Sequence, residues 1–184
     1  GARTFDLNQW VAYIPTYTEV LGTHPIVTAT TLEFTYIDRD FYNVLGGTIL
    51  VTLQGINDGD TASFSGGFIG DKRMRFLGVD TPETYPVVDL WGPEAQAFTQ
   101  NALTNATQIY LQSDPVLGTV DNYGRSLGYI WVDGTLLNYE LIKNGFSWNY
   151  LSSDSNLVFG NRYLYRWFQD AEKYAVTNEF GIHS

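Results

Sequence analysis

The chain has 184 residues, 44% of them apolar and 16% aromatic, enough for one domain with a sizeable core. Ten Lys and Arg against twenty Asp and Glu give a net charge of −10, so the whole-molecule field repels polyanions and any anionic ligand must be held locally. The absence of cysteine excludes disulfides, thiolate metal sites and cysteine nucleophiles, and no apolar run approaches the ~18 residues of a membrane span.

Residues 1–46 are expected to form an aromatic-rich N-terminal extension of unassigned role, broken by Pro15, Gly22 and Pro25, with a strand over 32–37. A domain is expected over 47–184. Residues 49–53 are β-rich and lead to Asn57-Asp58-Gly59-Asp60, a turn signal followed by Thr61-Ala62-Ser63-Phe64, which together predict a hairpin. A third strand is expected over 74–79. Gly92-Pro93-Glu94 then supplies proline at a first helical position and an acid in the first turn, with Ala95, Phe98, Ala102 and Ala106 marking one face. Residues 109–112 return to strand character, and 127–132 and 136–137 flank Asp133-Gly134, a two-residue hairpin turn. A second helix begins near Leu137 and is capped by Gly145, and a third fits 162–176, with Leu164, Trp167, Phe168, Ala171 and Ala175 as its apolar stripe. Five short strands with helices inserted after the third and after the fifth predict an α+β fold. Its form is a five-stranded OB-type β-barrel with three packed helices, preceded by an extension with some strand.

The chemistry concentrates in Arg75-Phe76-Leu77-Gly78-Val79-Asp80-Thr81-Pro82-Glu83-Thr84. Pro82 ends a strand and pre-sets a turn that brings Glu83 back toward Asp80, so the two carboxylates can hold a hard cation or activate water. Arg75 offers a planar donor fork to a phosphate, and on an otherwise apolar strand it needs an anionic partner, which in the unliganded protein is a salt bridge to Glu83 or Asp80. The order of the elements lets Asp60, Asp80, Glu83 and Arg125, far apart in sequence, converge on one face. Asp58 reads as a turn former and His183 as a residue without a role.

Four ordered blocks resemble the staphylococcal nuclease (thermonuclease) family. They are Asp58-Gly59-Asp60-Thr61, the Arg75-to-Glu83 block with its Val-Asp-Thr-Pro-Glu-Thr core, Gly92-Pro93-Glu94-Ala95 followed by Ala97-Phe98, and Tyr123-Gly124-Arg125 with Leu127, Tyr129 and Ile130. Asp133-Gly134, Leu137-Asn138, Gly145 and the terminal Gly181-Ile182-His183-Ser184 continue the pattern. The resemblance implies that Asp60 and Asp80 are carboxylate ligands of Ca²⁺ and that Thr81 gives a backbone carbonyl. It implies that Arg75 and Arg125 grip the scissile phosphate, and that Glu83 faces the attacking water. Tyr123 and Tyr150 are candidates to stack on or hydrogen-bond the nucleotide, with core packing the alternative for Tyr150. The implied reaction is hydrolysis of phosphodiesters in DNA or RNA to 3′-phosphate and 5′-hydroxyl ends. A monomer is expected, and because an ordinary glutamate is a weak base that chiefly orients water for attack as metal-favoured hydroxide, so is better activity at alkaline pH.

Three departures from the family bear on substrate affinity. The loop after Glu83 reads Tyr85-Pro86-Val87-Val88-Asp89 where the staphylococcal enzyme carries lysines, Asn122 replaces a lysine beside Tyr-Gly-Arg, and the base-contacting tyrosines have no clear counterparts near 147–153. The alternatives are a non-catalytic OB-type module binding nucleic acid or protein, and a surface adhesion protein working through its N-terminal stretch. An extracellular or cell-surface location is expected from the family's habits, from Gly1 standing where an initiator Met would be, and from the Ca²⁺ available outside cells.

Overall fold

A computed structural model describes residues 32–68, 71–155, 157–159 and 162–184. The expectations for residues 1–31 lie outside the described residues. Strands β1 (Thr48–Asp58) and β2 (Thr61–Ser65) form the expected hairpin, and β3 (Arg73–Phe76) pairs antiparallel with β2. The first part of β1, Thr48 to Val51, pairs with β4 (Ile109–Gln112), whereas the part from Thr52 onward pairs with β2. A register shift between Leu53 and Gly55 bends the strand, so one long strand serves two sides of the sheet. β5 (Ser126–Val132) runs antiparallel to β4 and parallel to β3, through Met74 opposite Ser126, Arg75 opposite Leu127 and Phe76 opposite Gly128. This last pairing closes a five-stranded mixed barrel, to which β6 (Thr135–Leu136) adds through the Asp133-Gly134 turn.

Alternation along the strands fills the barrel. Ala62 and Phe64 of β2, Met74 and Phe76 of β3 and Leu111 of β4 are fully buried, which sends Arg73 and Arg75 to the outer face. Three helices pack on the barrel: α1 (Gly92–Thr104), α2 (Leu137–Lys143) and α3 (Leu164–Thr177). The expected stripe of α3 is buried at every position from Leu164 to Ala175. The helix starts two residues later than expected because Arg162 and Tyr163 form β8 (Arg162–Tyr163), paired with β7 (Val158–Phe159). Asn138 of α2 locks helix to barrel: its Oδ1 accepts the Ile130 N–H at 2.8 Å, and its Nδ2 donates to the Leu77 carbonyl at 2.8 Å and the Gly128 carbonyl at 3.3 Å.

Three expectations need correction. Residues 32–37 form no strand; Leu32 and Phe34 are half-buried while Glu33 and Thr35 are exposed, so the alternation records one-sided packing of an irregular segment. Phe34 stacks on Tyr110 at 4.7 Å, and Phe41 is buried in the barrel core, so the packed unit includes residues ahead of Gly47. The inner face of α1 is Ala95, Thr99 and Leu103, with Phe98 and Ala102 half-buried and Ala106 beyond the helix. The Thr99 hydroxyl escapes the cost of burial by donating to the Gly59 carbonyl at 2.6 Å. The third strand ends at Phe76, short of Val79, because the chain leaves the ladder at Leu77. It stays pinned there by Asn138 and by the Tyr150 N–H, which donates to the Gly78 carbonyl at 2.8 Å.

Candidate active site

The β1–β2 turn places Asp60 under the segment that follows β3. Asp58 Oδ1 accepts the Asp60 N–H at 3.1 Å, a local turn that bears out Asp58 as a turn former. Gly59 is required here: a Cβ would lie 2.7 Å from Thr81 Oγ1 and 3.0 Å from Ala95 Cβ, so only glycine lets the turn press against Thr81 and the first turn of α1. Asp60 is 4% exposed. Its Oδ1 accepts the Thr61 hydroxyl at 3.0 Å, and its Oδ2 accepts the Thr81 N–H at 2.9 Å and pairs with Arg75 Nη1 at 3.3 Å.

Arg75 also reaches Asp80 Oδ1, from Nη2 at 3.4 Å, and donates from Nη1 to the Phe76 carbonyl at 3.0 Å. The guanidinium therefore spans Asp60 and Asp80, rather than pairing with Glu83 or with Asp80 alone. The Asp80 N–H donates to Ser147 Oγ at 2.8 Å, which ties this turn to the segment after α2. Glu83 stands at the base of a stapled loop. Its N–H donates to Asp89 Oδ2 at 3.1 Å, the Asp89 N–H donates to the Glu83 carbonyl at 2.9 Å, and the Gly92 N–H donates to the Asp89 carbonyl at 3.0 Å. A Cβ on Gly92 would lie 2.3 Å from that same Glu83 carbonyl, so glycine at the start of α1 is a condition of Glu83's position.

Asp60 and Asp80 pair with the one guanidinium, Asp58 and Glu83 are close to Asp60, and the proton affinities of Asp58, Asp80 and Glu83 reflect this crowding. Asp58 is pushed up to about 7, first by burial and then by the hydrogen bond and charge of Asp60. Burial likewise raises Asp80, with Arg75 opposing and Asp60 adding to the rise. Burial raises Glu83, and the Asp60 and Asp80 charges add to it. Thr81 Oγ1 is buried without a hydrogen-bond partner. An excess of anionic oxygen beside an orphaned neutral oxygen fits a hard cation, which takes oxygen ligands only. Among the described residues no three His, Asp or Glu side chains close around a common point, so a cation here would rest on Asp60, Asp80 and backbone oxygen and retain open positions.

The parallel β3–β5 pairing brings the second arginine alongside. Arg75 is level with Leu127, two residues after Arg125, and the two arginines line one cleft. Arg125 is oriented by Asp121, whose Oδ2 accepts Arg125 Nε at 2.7 Å while its Oδ1 accepts the backbone N–H of Tyr123 at 2.8 Å and of Arg125 at 2.9 Å. Burial pushes the Asp121 carboxyl up, but these donors more than offset it and hold the group below the usual carboxylate range. A cleft of about 310 Å³ is lined by Arg75, Asp121, Tyr123, Arg125, Leu127 and Tyr150. Tyr123 and Tyr150 are both exposed there, and the Arg125 guanidinium lies 5.5 Å from the Tyr123 ring centre.

A family model described as staphylococcal nuclease homologue matches residues 73–182, more than half of the chain. The chain belongs to the staphylococcal nuclease family. It is 39% identical over 80 residues to a thermonuclease of Staphylococcus intermedius, covering 42% of this chain and 46% of that protein. It is 38% identical over 98 residues to a thermonuclease of Staphylococcus hyicus, covering 49% and 53%. Endonuclease YhcR of Bacillus subtilis is 31% identical over 134 residues, which cover 68% of this chain and 10% of that larger protein. The chain thus spans about half the length of the staphylococcal relatives it matches.

Within this member of the family, the structure brings together Asp60, Asp80, Thr81, Arg75 and Glu83 on one side and Arg75, Arg125, Tyr123 and Tyr150 on the other, with Arg75 shared. Tyr150 is on the cleft and exposed, not in the core. Sequence reasoning missed the supporting residues Asp89, Asp121 and Ser147. Asp121 carried a signal, since an aspartate two residues before Tyr123 and four before Arg125 is placed to accept both amides. Asp89 and Ser147 carried none, because their partners are fixed only by the loop's path.

Proposed function

We propose that the chain is a Ca²⁺-dependent nuclease that hydrolyses phosphodiester bonds of DNA or RNA, leaving 3′-phosphate and 5′-hydroxyl ends. The observation that carries this is the placement of both arginines on one cleft, with Asp60 and Asp80 paired to Arg75. The thermonuclease and endonuclease names of the relatives support the same reading.

Phosphodiester hydrolysis concentrates negative charge in a five-coordinate transition state, so the task of the site is to supply fixed positive charge and orient a water. Asp60, Asp80 and the Thr81 carbonyl would hold Ca²⁺. Bound there, the ion supplies Lewis-acid stabilisation of phosphate charge. Arg125 keeps both Nη groups for a phosphate while Asp121 holds its Nε, so binding costs little reorganisation. Arg75 leaves Asp60 and Asp80 when their charge is otherwise neutralised, and turns its fork to the phosphate. Glu83, exposed and three residues beyond Asp80, would accept a proton from the attacking water. Tyr123 and Tyr150 flank the arginines and take the nucleotide on either side of the scissile bond. An extracellular or cell-surface setting, rich in Ca²⁺, suits a site with so few protein ligands.

Cleavage of single-stranded DNA and of RNA, assayed with Ca²⁺ and with chelator, tests the reading. Ca²⁺-dependent products ending in 3′-phosphate support it. Nucleic-acid binding without cleavage would identify a non-catalytic module of the same fold.

A further inference from the structure

The loop that follows Glu83 is the most apolar exposed segment of the described residues. Tyr85 and Leu90 are each 83% exposed, Val87 is 69% and Val88 is 62% exposed. Scattered exposed apolar side chains are ordinary, but four within six residues form a patch that marks a contact surface. The loop is also preformed. Asp89 staples it to Glu83 through its carboxylate and its N–H, and Gly92 closes the second end, so the tip keeps its shape without a partner. Glu83 follows Asp80, Thr81 and Pro82 directly in the chain, and Thr81 donates its N–H to Asp60 Oδ2 while Asp80 pairs with Arg75, which places the loop's base at the edge of the candidate active site.

Charge decides what such a tip can hold. From Phe76 to Gly124 the sequence contains no Lys, Arg or His, while Glu83 and Asp89 sit at the loop's base and Glu94 follows in α1. A phosphate backbone gains nothing from that surface, and an anionic bilayer would be repelled by it. The face of an unpaired nucleobase is uncharged and stacks on aromatic or apolar side chains, and in a duplex that face is covered by the neighbouring base pairs.

We propose that the loop over 84–91, through Tyr85, Val88 and Leu90, is a second base-contacting element, gripping an unpaired base of the substrate strand on the Glu83 side of the scissile phosphate. It rests on the nuclease reading for its substrate. It adds a determinant of strand selectivity that lies outside the arginine cleft, and it replaces electrostatic with stacking affinity in a chain of net charge −10.

The test is a Tyr85→Ser/Leu90→Ser double variant and a Tyr85→Trp variant. Fluorescence anisotropy is read with labelled oligothymidylate and with a duplex of equal length, in chelator and in a Glu83→Gln background so that cleavage is suppressed during the measurement. Loss of the stacking faces should weaken single-strand binding by about five- to hundredfold while duplex binding moves less than about twofold, and Trp should restore or tighten it. In the Glu83 enzyme the double variant should raise KM for the single strand and leave kcat unchanged. Unchanged single-strand affinity, or an equal loss for duplex, overturns the proposal. So does wild-type binding to phosphatidylcholine vesicles that the double variant loses while oligonucleotide binding persists. Should the double variant melt early, Val88→Asn carries the same comparison. If wild-type protein shows loop-dependent binding but no cleavage, the nuclease reading falls and the loop's role stands; normal cleavage insensitive to the loop has the opposite meaning.

Discussion

Replacing Arg75 with Ala removes the one cation from a group of four carboxylates. Its guanidinium lies 3.3 Å from Asp60 Oδ2 and 3.4 Å from Asp80 Oδ1, and the Asp60 side chain is 6% exposed. An ion pair at ~4 Å is worth about 4 kcal/mol before desolvation at an effective dielectric near 20, and stripping one partner from a buried pair costs about 3–5 kcal/mol. Asp60 retains the Thr81 N–H and the Thr61 hydroxyl, and the Arg75 side chain is itself one-fifth exposed, which brings the expectation down to about 1–3 kcal/mol. For a domain of this size that lowers Tm by about 3–10 °C. Thermal melts by circular dichroism, in chelator and in saturating Ca²⁺, read the effect. The variant should be less stable than wild type in chelator and should gain more from Ca²⁺, because the ion then takes over the neutralisation that Arg75 supplied. An unchanged Tm in chelator, or equal Ca²⁺ shifts in the two proteins, would refute the reasoning that Arg75 and a cation serve the same two carboxylates.

Glu83→Gln should lower the cleavage rate by about a hundredfold or more, with Tm no lower than wild type because the side chain is exposed and its charge is repelled by Asp60 and Asp80; rapid-quench kinetics and a melt together check both halves. Since burial and its acidic neighbours raise the Glu83 carboxyl, its basic form is lost on acidification sooner than that of an ordinary glutamate, so cleavage should drop as pH falls toward about 5; a rate that falls steadily between about pH 6 and 9 would contradict this. Asn138→Ala unpairs the Ile130 N–H and the Leu77 carbonyl, leaves the Gly128 carbonyl with the Leu77 N–H alone, and should cost about 2–4 kcal/mol in urea unfolding; a loss under ~1 kcal/mol would deny the residue its role in holding helix to barrel. His183 is held below the ordinary histidine range by burial, with Glu172 opposing, and its ring packs edge-on against Trp148 at 4.4 Å. Its contribution is complete above about pH 6.5 and is lost as pH falls through the lower folded value, so the stability difference from His183→Asn should shrink on acidification. A difference that does not change between about pH 8 and 5 would contradict that assignment.

The barrel was legible because its pieces carry short-range signals. Asp58-Gly59 and Asp133-Gly134 announce their turns, Gly92-Pro93 announces α1, and the Trp167–Phe168 stripe announces α3. The parallel pairing of β3 with β5 is non-local and has no signal in either strand, yet it sets Arg125 beside Arg75. The order of family blocks supplied what local pattern could not. Thr99 was overlooked on the face of α1 because a polar residue reads as exposed until its acceptor, the Gly59 carbonyl, is known. Residues 32–37 misled for the converse reason: alternation reports which side is covered, and a packed irregular segment covers one side as a strand does. The catalytic candidates were named by residue type and order, whereas Asp121, Asp89 and Ser147, which fix their orientation, belong to loop paths that only the folded chain defines.

The central claim is that Arg125 and Arg75 share one phosphate above a cation site made by Asp60 and Asp80. Its most direct test is end-group analysis of a labelled single-stranded oligonucleotide incubated with wild-type protein and with Arg125→Ala, each with Ca²⁺ and with chelator. The account predicts fragments bearing 3′-phosphate from the wild type only when Ca²⁺ is present, and a loss of about a hundredfold or more in rate for Arg125→Ala with its fold intact. Equal cleavage by Arg125→Ala, or wild-type cleavage that persists in chelator, would contradict it.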